Sequence, residues 1–199
     1  AYNERDAAYD ENHRLAEVYD RMHGCAHLYL ATYFGDYQFG SEIAIESCLE
    51  YVKQIPSSFT LAPLLFNGAF CCFGMANRCK PSYYTKHART FMKILKRWAK
   101  KGNPNCVPYL ALLNAEESAL KKQDRRAMEQ YEEAIRMMKG RGYIHDQALA
   151  NERYSAFYAT RGDREKAKLY LKESICLNKK WGANKKVEML LQQYRSDYE

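Results

Sequence analysis

Proline and glycine are scarce. Five prolines and ten glycines in 199 residues are too few for the turns of a β-sandwich, so helices are favoured from the start. A long apolar run is also missing. The most apolar stretch, residues 61–75, is broken by Pro63, Asn67 and Gly68, and it is shorter than the ~20 apolar residues a membrane-spanning helix needs. The opening residues, Ala1 to Asp6, are polar and helix-forming, which is not the pattern of a secretory signal. The first residue is not Met; a processed chain or a piece of a larger protein would explain this, and the piece is the favoured reading. Catalytic signatures are missing as well. The lone Gly-x-Gly, Gly140-Arg141-Gly142, is not followed by Gly-Lys-Ser/Thr, and no Gly-x-Ser-x-Gly elbow occurs.

What is present is a chain that can fold. Hydrophobic residues make up 47% of it, well above a disordered composition, and its length suits one domain with a continuous core. Seven cysteines, at 25, 48, 71, 72, 79, 106 and 176, are scattered through helical segments. An odd, dispersed set does not fit a disulfide scaffold; buried reduced thiols in a cytoplasmic protein are expected instead. Cys79, between Arg78 and Lys80, is the one thiol near an electropositive setting, and chance surface placement is its simpler reading.

Metal chemistry finds little purchase. His23 and His27 share a helical face, but a structural site needs four ligands and no second pair stands out. His145-Asp146 has the form of a phosphohydrolase ligand pair, yet the chain holds only five histidines. Asp146 is better read as a first-turn acid that favours the helix dipole. No metal and no cofactor is expected.

Internal repetition is the strongest signal. From Asp124 to Ile135 the sequence has the form of the second helix of a tetratricopeptide repeat: Ala127, then Tyr131 four residues on, then Ala134 three further, all on one helical face. The pattern recurs as Ala167, Leu171 and Ser174, and more loosely as Ala88, Met92, Leu95 and as Ala44, Cys48, Tyr51. The anchor alanines Ala44, Ala88, Ala127 and Ala167 stand 44, 39 and 40 residues apart. A first helix of each pair is placed at about 7–34, 58–77, 106–122 and 143–161. A second is placed at about 41–54, 82–101, 125–139 and 164–178. The repeats are then 7–54, 58–101, 106–139 and 143–178, with a polar capping helix at 184–197. Gly35-Asp36, Ile55-Pro56, Lys80-Pro81, Gly102 to Pro104, Gly142 and Gly162-Asp163 fall between them, where glycine ends one helix and aspartate caps the next. Arg161-Gly162-Asp163 is thus a turn rather than an adhesion motif. The expected fold is all-α: a tetratricopeptide-like right-handed solenoid of about four helix pairs plus a C-terminal cap, in one domain over 1–199.

The C-terminal half carries more than a generic repeat. Residues 148–158 (ALANERYSAFY) lead to Arg161-Gly162, then 167–171 (AKLYL), and end in Trp181-Gly182-Ala183 and Lys186-Val187. This combination resembles the helical-repeat region of large multidomain signalling ATPases. In those proteins a kinase-like segment and a STAND-type ATPase precede the repeats, and a histidine kinase or a nucleotide cyclase often follows. The resemblance covers roughly residues 109–190. It implies a cytoplasmic, non-catalytic region that packs on, or relays signals to, neighbouring domains.

Charge supplies the remaining clue. Lys80, Lys86, Arg89, Lys93, Lys96, Arg97, Lys100 and Lys101 lie in one segment without an acid. Their eight charges exceed the net charge of +7, so the rest of the chain is close to neutral. Ala88, Met92, Leu95 and Ala99 line the apolar face of this helix, with Phe91 and Trp98 at its edges. A core helix with a merely wet basic face is the plain reading. An acidic protein partner is the leading functional one, ahead of nucleic acid and anionic membrane, because no aromatic stacking surface is interleaved. A peptide groove would fall on the first helices of the repeats, at Tyr109, Leu112, Glu116 and Leu120 and at Leu149, Glu152, Arg153 and Ala156. The candidate partner-binding residues are therefore Lys86, Arg89, Lys93, Lys96, Arg97, Tyr109, Glu116, Glu152 and Arg153. The expected function is a non-catalytic protein–protein interaction scaffold. The alternative is a structural subunit that docks an acidic partner through the basic helix 80–101. The oligomeric state is open. The seventeen tyrosines are expected mostly in the seams between helices.

Overall fold

The computed structural model describes residues 23–54 and 60–198. They form nine helices and, among the described residues, no strand. Helix α1 is described over 23–34. It is followed by α2 (Tyr37–Gln54), α3 (Leu61–Ala76), α4 (Pro81–Lys100), α5 (Cys106–Leu120), α6 (Asp124–Gly140), α7 (Ile144–Thr160), α8 (Arg164–Trp181) and α9 (Asn184–Tyr198). The expectations for residues 7–22 and for the Ile55-Pro56 turn lie outside the described residues. No described helix is long and apolar enough to cross a membrane.

Consecutive helices pack on one another from α2 through α9, and α3 also meets α5. The small residues set the close approaches. Ala44, Ala88, Ala127, Ala134 and Ala167 are all fully buried, so the alanine pattern marks real helix crossings. The turns follow the expected chemistry. Gly35, Gly102, Gly142, Gly162 and Gly182 all take positive φ, a region that costs an L side chain energy and glycine almost none. Asp163 caps α8 by accepting from the Lys166 amide at 3.1 Å, and Asp36 accepts from the Phe39 amide at 3.3 Å.

Two boundaries differ from expectation for physical reasons. Helix α2 begins at Tyr37 rather than near 41, directly after Asp36, whose carboxylate serves its first turn, and Gly40 is packed within it. A Cβ there would stand 2.5 Å from Cys71 Sγ of α3. Helix α8 runs on to Trp181, ending only where Gly182 turns left-handed at φ 88. The most apolar helix, α3, is buried from Leu64 to Ala76 on every side, which accounts for its lack of amphipathic period. Within it Gly74 receives the Tyr37 ring, with a Cβ position only 2.4 Å from ring atoms.

Gly74→Ala is therefore expected to destabilise the chain. Overpacking of a close contact typically costs about 1–3 kcal/mol, which outweighs a helix-propensity gain of up to ~1 kcal/mol. Gly140→Ala, where nothing stands within 4 Å of the new methyl, should leave stability unchanged or slightly raised. Thermal melts followed by circular dichroism compare the two; a Gly74→Ala melt at or above the parent's would contradict the packing described.

Candidate interaction surfaces

Helix α4 separates its two faces cleanly. Thr85, Ala88, Phe91, Met92 and Leu95 are buried. Phe91 is fully covered, so it belongs to the core rather than to the edge of the basic face, while Trp98 is half-buried against the core. Lys86, Arg89, Lys93, Lys96 and Arg97 are all exposed. Arg89 donates to Glu117 Oε1 at 2.8 Å, and Lys121 reaches the same oxygen at 2.8 Å. Burial pushes the Glu117 carboxyl up, but the hydrogen bonds from Lys121 and Arg89 outweigh it and hold the carboxyl below its usual value. Among the described residues Lys86, Lys93, Lys96 and Arg97 enter no ion pair. Their charge is presented to solvent.

The other four candidates are engaged inside the chain. Glu116 is 2% exposed and takes a bidentate pair from Arg153: Nε to Oε1 at 3.0 Å and Nη2 to Oε2 at 2.9 Å. Tyr131 donates its hydroxyl to Glu116 Oε1 at 2.8 Å. Arg153 also donates to Tyr37 Oη at 3.2 Å and lies over the Tyr37 and Phe70 rings, 5.7 Å from each centroid. Burial works against the Arg153 cation, but the Glu116 carboxylate more than offsets it and holds the guanidinium charged. Glu152 accepts from Lys186 Nζ at 2.8 Å, and Lys186 is itself 3% exposed. Tyr109 is stacked on Phe66 at 4.4 Å and is 7% exposed. In this conformation Tyr109 and Glu116 present no side chain to a partner, and Glu152 and Arg153 are spent on internal contacts. Tyr109 and Glu116 lie on α5 and Glu152 and Arg153 on α7, and the surface they face is occupied.

The occupant is the chain's own N-terminal corner. Tyr33 of α1 donates to the buried carboxylate of Asp146 on α7 and stacks with Tyr29 at 4.5 Å. His145 stacks on Trp181 at 5.0 Å, and both rings approach Tyr33 at 6.0 and 6.3 Å. The Lys186 ammonium lies 5.9 Å from the Phe34 ring centroid. Burial raises the Asp146 carboxyl above its ordinary value, opposed by the His145 charge and by contacts from Tyr33 and Tyr109. Asp146 Oδ2 accepts no hydrogen bond and faces His145 Nε2 at 3.5 Å. The sequence assigned Asp146 to a helix dipole; its tie to Tyr33, 113 residues away, left no local trace.

Every cysteine is a free thiol, and Cys48, Cys71, Cys72 and Cys106 are buried. Burial pushes the Cys71 thiol up to about 12, the range of an unreactive core thiol. Among the described residues no group of three or more His, Cys, Asp or Glu is arranged to hold a metal; His23 and His27 sit with ring centroids 6.4 Å apart. No family model, curated protein or solved structure matches the chain.

Removing one partner of the inner pair strands the other. Glu116→Ala and Arg153→Ala are each expected to cost about 3–5 kcal/mol, and the double variant should cost much less than their sum; additive losses in urea unfolding would contradict the pairing. Asp146 sets a pH dependence. Below about 3.9, the unfolded value, its carboxyl is neutral in both states. As pH rises through the raised native value, folding must carry a buried charge, so stability falls. The stability of Asp146→Asn relative to the parent should therefore improve as pH is raised from about 4 to 7, read by urea unfolding at each pH; a fixed difference would contradict it.

Proposed function

We propose that the chain is a non-catalytic protein–protein interaction scaffold, built as a tetratricopeptide-like right-handed solenoid of four helix pairs closed by α9. The observation that carries this reading is the recurrence of short left-handed turns between helices that bury an alanine, beside an α4 face on which Lys86, Lys93, Lys96 and Arg97 enter no ion pair among the described residues. Among the described residues the buried groups Glu116, Tyr131 and Asp146 are engaged in contacts between helices, which supports a structural role for them. The similarity of residues 109–190 to the repeat region of signalling ATPases suggests a place beside, or derived from, such domains in the cytoplasm.

The unspent charge on Lys93, Lys96 and Arg97 favours a more specific form of this reading: a subunit of a larger assembly that docks an acidic protein on α4. Complementary charge raises association rate and is screened by salt. Affinity purification of the tagged chain at low and high salt, with mass spectrometry of the bound fraction, tests both forms. A defined partner lost on Lys93→Glu/Lys96→Glu/Arg97→Glu supports docking on α4. A partner retained by that variant at high salt supports a scaffold that uses another face. No specific partner under either condition would overturn the scaffold reading.

A further inference from the structure

The seam between α8 and α9 holds a groove of about 300 Å³ lined by Lys172, Ile175, Cys176, Lys179, Leu191 and Tyr194. Its floor is apolar and its rim is cationic. Lys172 and Lys179 enter no ion pair among the described residues; Lys172 and Lys168 rest over the Tyr194 ring at 5.5 and 5.6 Å instead. No carboxylate lines the groove. Beneath it lies a small core of its own, Leu171, Ile175, Val187, Leu190 and Tyr194, separate from the main one. Helix α9 packs on α8, and this small core fills the contact between them.

We propose that this groove docks an amphipathic helix of a partner protein, apolar on one face and acidic along its edges. Lys172 and Lys179 stand seven residues apart on α8, about 10.5 Å along a helix axis, so carboxylates two turns apart on a helix lying beside α8 would meet both. Apolar side chains between them would rest on Ile175, Leu191 and Tyr194 and thicken the five-residue core. This is the helix-in-groove mode of recognition. The inference shares with the proposed function only the premise that the chain holds a protein, and it uses a surface other than α4.

Cys176 in the groove and Cys79 at the start of α4 are both exposed free thiols, which gives an internal comparison. The probe is a synthetic eighteen-residue helical peptide with a leucine stripe flanked by glutamates, and a twin with lysines in their place. Maleimide labelling of the whole chain is followed site by site by mass spectrometry. At about ten times Kd only about a tenth of the grooves stay free, so the acidic peptide should slow Cys176 about tenfold and leave Cys79 unchanged. Lys172→Glu/Lys179→Glu should abolish the protection with an unaltered thermal melt. The proposal is overturned if Cys176 reacts at its free rate, or if the lysine twin protects equally. It is also overturned if protection appears without peptide as protein concentration rises, which would place a second copy in the groove. Loss of protection on Lys93→Glu/Lys96→Glu/Arg97→Glu would place the peptide on α4 instead.

Discussion

The pairing of Arg153 with Glu116 holds the interior of this chain together. It joins α7 to α5, and through Tyr131 and Tyr37 it also reaches α6 and α2. A buried carboxylate and guanidinium are costly to desolvate and are tolerated only when each finds most of its hydrogen bonds. Here both carboxylate oxygens and three guanidinium nitrogens are used. The rings of Tyr37 and Phe70 lie against the cation and shield part of it from water. The contribution of such a pair lies in register: four helices can satisfy it in only one arrangement.

Tyrosine does the same work in the seams with less charge. Tyr131 stacks on Tyr154 at 5.0 Å, and Tyr154 meets Tyr170 at 4.3 Å, so one ladder of rings threads α6, α7 and α8. The hydroxyls are not stranded: Tyr154 bonds Glu132 at 3.1 Å and shares a bond with Tyr158 at 2.8 Å. Rings bury area and hydroxyls reach partners, which explains why so many tyrosines fit a helical stack of modest size.

Much of the helical order could be read from the residues, because it is written locally. Glycines mark the ends of α4, α6, α7 and α8, and alanines mark crossings. The inner contacts were not legible in the same way, since they depend on which helices meet. Glu116 and Arg153 have the right spacing for a groove and the wrong surroundings, because Tyr33, Phe34 and Tyr37 sit against the face they would line. One signal could have exposed part of this. Several inter-helix ties join residues a similar distance apart in sequence: Glu116 with Arg153 and Asp124 with Arg161 at 37, and Asn105 with Tyr143 at 38. Opposite charges recurring at such a fixed separation are a signal that could be sought in the sequence. The Tyr33–Asp146 tie follows no such period and had no sequence signature.

That tie, with Tyr37–Arg153, also changes the topology of the chain's energetics. A row of helices in which neighbours touch only neighbours behaves as a one-dimensional array whose ends fray independently. Links spanning 113 and 116 residues join the head of the row to its far third. In an unfolded chain, closing a loop of that length costs about 4 kcal/mol of entropy, whereas the helix pairs close short loops. The cost of closure therefore falls on the clasp rather than on the short turns. With it shut, losing either α1 or α7 breaks the same contact, which couples the start of the row to its far third.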